Sequence, residues 1–367
     1  MISTTPEIQP NTEPQAGERI DLLGLSRERL AEVLAPVVDR PFRAGQIYQA
    51  LYERAARDFS AMTDLPKDLR ARLAERFRVG LPEIASSHLS EDGTCKYLFR
   101  LHDGATIEAV DIPDRGRRTF CISSQAGCAL ACAFCVTGYW GAGRNLTAGE
   151  IVGQVLAIRA DRALPMEGLN IVFMGMGEPL LNLENVKAAL DILMEWISPH
   201  RITVSTVGIL PGLEEMARWE RRPNLAVSLH APDDELRGRI MPVNRTWPLA
   251  DLMAALRRYP LEKGRKLTFE YILIRDLNDS DRHADQLSRL LSGLKAKINL
   301  IPINPDPVLG GRMVPPSDER IEAFKERLRQ RGWIATVRRR RGDDVSAACG
   351  QLRAFGREAR GFRGRAR

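Results

Sequence analysis

The stretch GCALACAFC at residues 127–135 places Cys128, Cys132 and Cys135 in a C-x3-C-x2-C run. A closed structural zinc site takes four protein ligands, and a cubane iron–sulfur cluster has four irons to bind. Three thiolates within eight residues therefore predict a metal centre with one open corner. A small molecule can bind and react at such a corner.

The three cysteines have two alternative interpretations. Cysteine is often only a small buried hydrophobic residue, but three at this spacing in a short run of small residues are typical of metal binding. The main alternative is a zinc ion completed by a distant histidine, for which His230, in a Ser-Leu-His sequence, is the best candidate.

The composition is that of an ordinary globular protein, with 44% hydrophobic and 28% charged residues in a chain of 367. Four of the six cysteines fall in one short stretch, so we expect a metal site in a reducing cytoplasm and not a disulfide scaffold. No signal peptide and no apolar run of membrane-spanning length is evident, so we expect a cytoplasmic protein without a membrane partner.

The net charge of +7 is concentrated at the C-terminal end of the chain. Residues 338–367 contain ten arginines and three acidic residues, which accounts for the whole excess. Such a block favours contact with phosphate groups, although a solvated basic tail is the alternative from about Arg357 onward.

The pattern of apolar residues divides the chain into four parts. We expect a disordered N-terminus at 1–17, a helical accessory domain at 18–90, a catalytic core at 91–352 and a basic tail at 353–367. In the accessory domain, apolar residues recur at helical spacing between residues 21 and 77.

Within the core, short apolar strands alternate with helices. Strands are predicted at 96–101, 106–112, 119–123, 170–174, 202–205, 225–229, 267–274, 298–301 and 334–337. Helices are predicted at 148–160, 183–196, 213–219, 249–258, 284–294 and 318–331. This alternation predicts an α/β fold, a partial TIM-type (β/α)6 barrel with a small N-terminal helical domain.

Polar residues follow the predicted strands of this barrel. The cysteine run follows the strand at 119–123, and Gly177 and Glu178 follow the strand at 170–174. Further polar or thiol residues at such positions are Ser205, Ser228, His230, Asn304 and Cys349. Because these barrels place their chemistry at the C-terminal ends of the strands, we expect these residues to meet at one mouth.

Three longer motifs occur in order along the chain: SSQAGCAL at 123–130, MGMGEPLLN at 174–182 and RGDDVSAACGQL at 341–352. With the cysteine run, they resemble the RlmN family of radical S-adenosylmethionine (radical SAM) methyltransferases over about residues 20–352. The resemblance implies methylation of adenine at C2 in 23S rRNA, at the peptidyl-transferase-centre adenosine 2503, and also at the anticodon-adjacent adenosine of some tRNAs.

The resemblance also implies a set of cofactor ligands. The three cysteines of the run would hold a [4Fe-4S] cluster, and the amino and carboxylate groups of SAM would chelate its fourth iron. Glu178 would bind the SAM ammonium, and Gly177 would let the backbone approach closely. The other implied SAM-site residues are Ser205, Ser228, His230 and Asn304.

Adenine C2 lies between two ring nitrogens and is electron-poor, so a carbon radical can add to it, whereas the ring carbon cannot attack a methyl sulfonium. By resemblance, Cys349 takes a methyl group from one SAM and is then activated by a radical from a second. Cys121 would release the product by forming a disulfide with Cys349, and Glu108 would remove the C2 proton. Cys121 lies seven residues before Cys128 and thirteen after Glu108, as in the family.

Other functions stay open at this stage. One is the related adenine-C8 rRNA methyltransferase of the sister, Cfr-like family, which shares the cysteines. Another is a non-catalytic, zinc-dependent RNA-binding protein. Ile303 replaces an aromatic residue of the family close to the SAM site, which predicts altered packing there. The implied partners are 23S rRNA, tRNA and an electron donor such as flavodoxin, and we expect a monomer.

Overall fold

The computed structural model of the chain describes residues 19–114, 116–311, 313–338, 340–342 and 344–353. The segment 1–17, predicted to be disordered, and the basic tail after Arg353 lie outside these residues.

The described residues form twelve strands and eleven α-helices. The strands are β1 (Ile20–Asp21), β2 (Phe77–Arg78), β3 (Glu83–Leu89), β4 (Cys95–Arg100), β5 (Thr106–Asp114), β6 (Arg117–Cys121), β7 (Leu169–Phe173), β8 (Ile202–Thr206), β9 (Asn224–Ser228), β10 (Leu267–Leu273), β11 (Ala296–Pro302) and β12 (Ala335–Val337). The helices are α1 (Arg27–Leu34), α2 (Phe42–Tyr52), α3 (Lys67–Arg76), α4 (Val136–Tyr139), α5 (Ala148–Asp161), α6 (Leu183–Leu193), α7 (Leu210–Arg218), α8 (Asp234–Ile240), α9 (Leu249–Arg258), α10 (Asp281–Leu290) and α11 (Asp318–Gln330).

Helices α1 to α3 form the N-terminal domain, which the apolar spacing of residues 21–77 predicts. The Ser26 hydroxyl caps α1 by accepting from the Arg29 N–H. On α2, the rings of Tyr48 and Tyr52 pack against Trp196, which follows α6. The Tyr48 hydroxyl also donates to Glu195 at 2.5 Å. The N-terminal helices are thus docked on an outer helix of the core.

The main sheet contains ten strands in the order β12-β11-β10-β9-β8-β7-β6-β5-β4-β3. From β6 to β12 each strand pairs in parallel with the next one along the chain. Crossovers between parallel strands are right-handed as a rule, so a sheet that grows in one direction along the chain has its helices on one face and curls around the other. Six strand-and-helix units followed by β12 confirm the predicted partial (β/α)6 barrel.

Strands β3, β4 and β5 extend this sheet as an antiparallel meander. The sequence predicts β4 and β5 but not β3. Strand β3 is an edge strand whose residues are half-buried or exposed, so its sequence EIASSHL lacks a clear apolar alternation. Because β3 pairs with β4, the main sheet begins before residue 91.

The C-terminal ends of the parallel strands meet at one edge of the sheet, where the loops after β6, β7, β8, β9 and β11 come together. The loop after β6 contains the cysteine run and ends at α5, whose first turn is closed by a capping box between Thr147 and Glu150. None of the described helices has the length and apolar content that a membrane span requires.

Candidate active site

A cavity of about 150 Å³ opens at the C-terminal ends of the strands. The candidate site residues that line it are Cys128, Cys132, Cys135, Gly177, Glu178, Ser205, Ser228, His230 and Cys349. These positions span more than 200 residues of sequence, and the parallel sheet brings them together. Asn304, Cys121 and Glu108 lie beside the cavity and contact the groups described below.

The cysteine loop is fixed by backbone hydrogen bonds. The Cys128 N–H donates to Gly141 O at 3.0 Å, and the Ala133 N–H donates to Ile240 O at 2.9 Å. The Cys135 N–H donates to Cys132 O at 3.1 Å, which closes a tight turn. The thiols therefore reach the cavity from a loop that is anchored at both ends.

Burial raises the pKa of all three thiols of this loop, to about 12 for Cys128 and well above the ordinary value for Cys132. The pKa of Cys128 is raised further by the Cys135 thiolate, and that of Cys132 by both of the others. Three buried thiolates that repel one another fit a cationic cluster, which would neutralise them.

In the part of the chain that the structure describes, no three histidine, cysteine or carboxylate side chains converge closely enough to hold one metal ion. A cluster does not require such convergence, because each thiolate binds a different iron. The donor set and its burial therefore fit the [4Fe-4S] group that the cysteine spacing implies.

Glu178 lies in the wall of the cavity and is 3% exposed. Its Oε1 accepts from the Leu180 N–H at 3.0 Å, and its Oε2 accepts from the Val207 N–H at 2.9 Å. Burial nevertheless raises its pKa to about 7. A bound ammonium group would offset that burial and favour the carboxylate.

Gly177, just before it, has a φ of +96°. A Cβ at this position would lie 2.5 Å from the Cβ of Gln125. The Gln125 side-chain carbonyl in turn accepts from the Glu178 N–H at 2.8 Å. Glycine is required here because the turn that aims Glu178 packs directly on Gln125.

His230 is buried and also has a left-handed φ, of +62°. Its Nδ1 accepts from the Ile272 N–H at 3.0 Å, and burial lowers its pKa to about 3. The ring is therefore neutral with its proton on Nε2, which makes Nε2 a hydrogen-bond donor. A metal-binding histidine needs a free lone pair on the nitrogen that faces the metal, so His230 does not fit the role of a zinc ligand.

The ends of β8 and β9, which carry Ser205 and Ser228, are held together by Arg237. This side chain is fully buried. Its guanidinium donates to the carbonyls of Val207 at 2.6 Å and Leu229 at 3.1 Å, and to the Asn244 side-chain oxygen at 2.8 Å. A contact to Ser228 O at 3.3 Å completes the set.

Cys349 lies on the segment 344–353, which crosses the cavity mouth. Asn304 Nδ2 donates to Cys349 O at 3.1 Å, and the Val136 N–H donates to Gly350 O at 2.7 Å. The Thr137 hydroxyl donates to Leu352 O at 2.8 Å. The cysteine is thereby held between the helix that follows the cluster loop and the loop after β11.

Cys121 at the end of β6 is buried and close enough to Cys349 for their charges to interact. Burial and the Cys349 thiolate raise the Cys121 pKa to about 12, while the guanidinium of Arg338 acts in the opposite direction. Arg338 follows β12 and interacts with both thiols, which raises its own pKa. All six cysteines are free thiols in this structure.

Glu108 on β5 is 1% exposed. Its Oε2 accepts from the Arg353 N–H at 2.7 Å, and its Oε1 forms an ion pair with Lys96 Nζ at 3.2 Å. Burial raises the Glu108 pKa, and Lys96 and the Arg353 N–H both counteract this. The carboxylate thus touches the segment that carries Cys349.

Sequence reasoning missed several residues of this region. Lys96 and Arg237 gave no signal, and Arg338 was interpreted only as part of a phosphate-binding run. Glu270, a buried carboxylate in the cavity wall, offered a usable signal as the one charge in the apolar strand LTFEYIL. Ile303 is fully buried and packs with Ile272 behind the wall of the cavity.

Comparisons with known proteins agree with this geometry. The sequence model of the Radical SAM superfamily matches residues 122–287. That of the ribosomal RNA large subunit methyltransferase N-terminal domain matches residues 20–79.

Curated relatives match nearly the whole chain. One is the dual-specificity RNA methyltransferase RlmN of Syntrophotalea carbinolica, 50% identical over 91% of this chain and 90% of its own length. The RlmN of Halorhodospira halophila is 48% identical over 93% and 95%. A crystal structure of a radical SAM methyltransferase from Sphaerobacter thermophilus superposes with a TM-score of 0.86 and 48% identity, over 91% of this chain and 99% of that one. The chain therefore belongs to the RlmN family of radical SAM RNA methyltransferases.

Proposed function

We propose that this enzyme forms 2-methyladenine in 23S rRNA and in tRNA through a methyl group carried on Cys349. The observation that carries the proposal is the position of Cys349. Cys349 lines the same cavity as Cys128, Cys132, Cys135 and Glu178, and its thiol lies close to Cys121.

The three cysteines of the loop would each hold one iron of the cluster, and Glu178 would bind the SAM ammonium. Gly177, Ser205, Ser228, His230 and Asn304 would complete the SAM site. When bound, the cluster and two SAM molecules per turnover supply an electrophilic methyl group and a carbon-centred radical.

The chain's own residues would then act in sequence. The Cys349 sulfur takes the methyl carbon and loses its proton, with S-adenosylhomocysteine as the leaving group. The Arg338 guanidinium lies beside the Cys349 sulfur and interacts with it. One hydrogen atom of the S-methyl group would pass to the carbon-centred radical supplied by the second SAM, which lets the methylene carbon bond to adenine C2.

Glu108 and Cys121 would complete the reaction. The adduct would give up one electron to the acceptor that the bound cluster supplies, and Glu108 accepts the C2 proton, so the C–H electron pair stays with the ring. The Cys121 thiolate attacks the Cys349 sulfur, so an S–S bond forms, the C–S bond breaks, and the released carbon takes up a proton to become methyl. Two electrons from a donor such as flavodoxin reduce the disulfide.

The proposal also keeps the remaining expectations. These are a cytoplasmic monomer, an accessory domain predicted at 18–90, a barrel core predicted at 91–352 whose sheet extends through β3 to before residue 91, and a basic tail at 353–367 that contacts RNA phosphates. Five arginines against one acid after residue 353 support the last of these.

The test is a reaction with SAM that carries a deuterated methyl group. Anaerobically reconstituted enzyme is incubated with this SAM, a reductant and unmodified 23S rRNA or tRNA. The RNA is then digested, and the masses of the nucleosides are measured by mass spectrometry. We expect 2-methyladenosine with two deuteriums, because one is removed on Cys349. Three deuteriums would show direct methyl transfer, and an 8-methyl product would move the enzyme to the C8 family.

The same preparation tests the zinc-dependent RNA-binding alternative. That alternative predicts colourless protein with one zinc per chain, whereas the proposal predicts brown protein that contains iron and sulfide. The proton on His230 Nε2 disfavours the zinc site, since it leaves that site without its best histidine ligand.

A further inference from the structure

We propose that Lys96 is a positioning residue for the reaction, which holds Glu108 as a carboxylate turned toward the Cys349 segment, ready to accept the C2 proton. This inference rests on the proposed function, because it assigns Lys96 a part in one step of that reaction.

The sheet places the two side chains on one face. In the β4–β5 pair, Lys96 lies opposite Val110, and Glu108 lies opposite Leu98. Lys96 and Glu108 are therefore diagonal neighbours, two residues apart in register, whose side chains point to the same side. Lys96 Nζ lies 3.2 Å from Glu108 Oε1, with side-chain exposures of only 9% and 1%.

The two oxygens of Glu108 have different partners. Oε2 accepts from the Arg353 N–H at 2.7 Å, so it is already occupied. Among the described residues, Oε1 has no partner besides the adjacent Lys96 ammonium. Oε1 thus keeps a lone pair for a proton, in a place where a nearby cation favours the negative charge.

Lys96 also reaches the segment that carries Cys349. Its Nζ lies 3.5 Å from Ser346 O, three residues before Cys349. The ammonium therefore contacts both the Glu108 carboxylate and the backbone of the segment that carries Cys349.

The charge balance explains why a cation is needed. Burial raises the Glu108 pKa, and a carboxyl that keeps its proton at neutral pH cannot accept another. The charged groups that face Glu108 are Lys96 from β4 and Arg353 from the C-terminal segment. From the cavity side, Ser123 and Met176 contact only its backbone and carry no charge. Lys96 is thus the main group that counteracts burial.

A purely structural role is the alternative. Buried ion pairs contribute little net stability, since desolvation offsets their attraction. An ion pair that merely tied the Cys349 segment to the sheet would affect every step that uses Cys349. The proposed role affects only the step that uses Glu108, so the two can be separated by experiment.

The experiment compares holoenzyme with Lys96→Met, Lys96→Arg and Glu108→Gln. The first readout is the rate at which SAM methylates Cys349 without RNA, measured from the peptide mass. We expect the rate in Lys96→Met to stay within about twofold of the wild-type rate. The second is RNA methylation against pH. We expect the RNA methylation rate of Lys96→Met to fall at least tenfold at pH 7 and to recover at higher pH. The reason is that a rise of one pH unit in the Glu108 pKa lowers the fraction of carboxylate about tenfold.

Two further outcomes bear on the same point. Lys96→Arg should restore most of the activity, and Lys96→Met should accumulate the covalent RNA–protein adduct, which forms before the proton is removed. In the Glu108→Gln background, Lys96→Met should have no further effect on RNA methylation.

The inference is overturned if Lys96→Met slows Cys349 methylation as much as RNA methylation, or if the pH profile does not move. If Lys96→Met does not yield folded holoenzyme, Lys96→Gln takes its place, and an unshifted profile there has the same meaning. If wild-type enzyme makes no 2-methyladenosine, the proposed function itself has failed.

Discussion

The side-chain amide of Asn304 donates to the backbone carbonyl of Cys349 at 3.1 Å. Asn304 follows β11, whereas Cys349 lies on the segment after β12, so this hydrogen bond fixes the thiol relative to the sheet. It connects a predicted SAM-site residue with the predicted methyl acceptor, which the sequence separates by 45 residues.

Asn304→Ala should slow the methylation of Cys349 by roughly fivefold, since one buried hydrogen bond contributes about 1 kcal/mol. The rate is measured at saturating SAM by peptide mass spectrometry after single turnovers, alongside the SAM dissociation constant. A weaker affinity with an unchanged rate at saturation would show that Asn304 acts on SAM and does not hold Cys349.

Gly177→Ala should weaken SAM binding more than tenfold. The new Cβ would lie 2.5 Å from Gln125 Cβ, and Gln125 cannot yield without moving the N–H of Glu178. Equilibrium binding of SAM to the holoenzyme measures the effect. Gly238→Ala is the matched control: it lies in α8 with open space around it, so binding should stay the same and stability should rise slightly.

Arg237→Leu should destabilise the protein by about 3 kcal/mol or more, because it leaves several buried acceptors without a donor. We expect Tm to fall by about 5–10 °C, as measured by circular dichroism of the holoenzyme. Arg239→Leu, at an exposed position of the same helix, should change Tm very little. Equal effects of the two variants would contradict the role of Arg237.

Cys121 should react slowly with iodoacetamide at pH 8. With a pKa of about 12, only about one thiol in ten thousand is ionised at that pH. Because the thiolate is the reactive form, the rate should rise about tenfold per pH unit toward pH 11. The extent of Cys121 alkylation is measured by peptide mass spectrometry of the anaerobic holoenzyme. Modification of Cys121 as fast as that of a free thiol at pH 8 would refute the assignment.

Much of the fold follows from the sequence because each strand of the barrel is a short apolar run. The strand predicted at 225–229 is Asn224–Ser228, and the helix predicted at 148–160 is Ala148–Asp161. Short helices such as α4 and α8 were missed because one or two turns are too short for a periodic pattern.

The candidate site also contains some residues that the sequence identifies and others that it does not. Residues that stand in a compact motif, such as the three cysteines and Glu178, can be identified from the amino-acid sequence alone. Lys96 and Arg338 cannot, because their meaning depends on strand register and on which segment crosses the cavity. Ile303 shows the reverse case: the sequence marks it as a departure near SAM, and in the structure it packs behind the wall.

The order of the strands has a consequence for synthesis of the enzyme. Cys121 ends the first parallel strand, and Cys349 comes after the last, so the pair meets only when the whole sheet is in place. A nascent or truncated copy that stops before residue 344 contains Cys128, Cys132 and Cys135, the proposed cluster ligands, but lacks Cys349, the proposed methyl acceptor. On the proposed mechanism, methylation therefore requires the completed chain, and an unfinished chain would be unable to modify the ribosome that is making it.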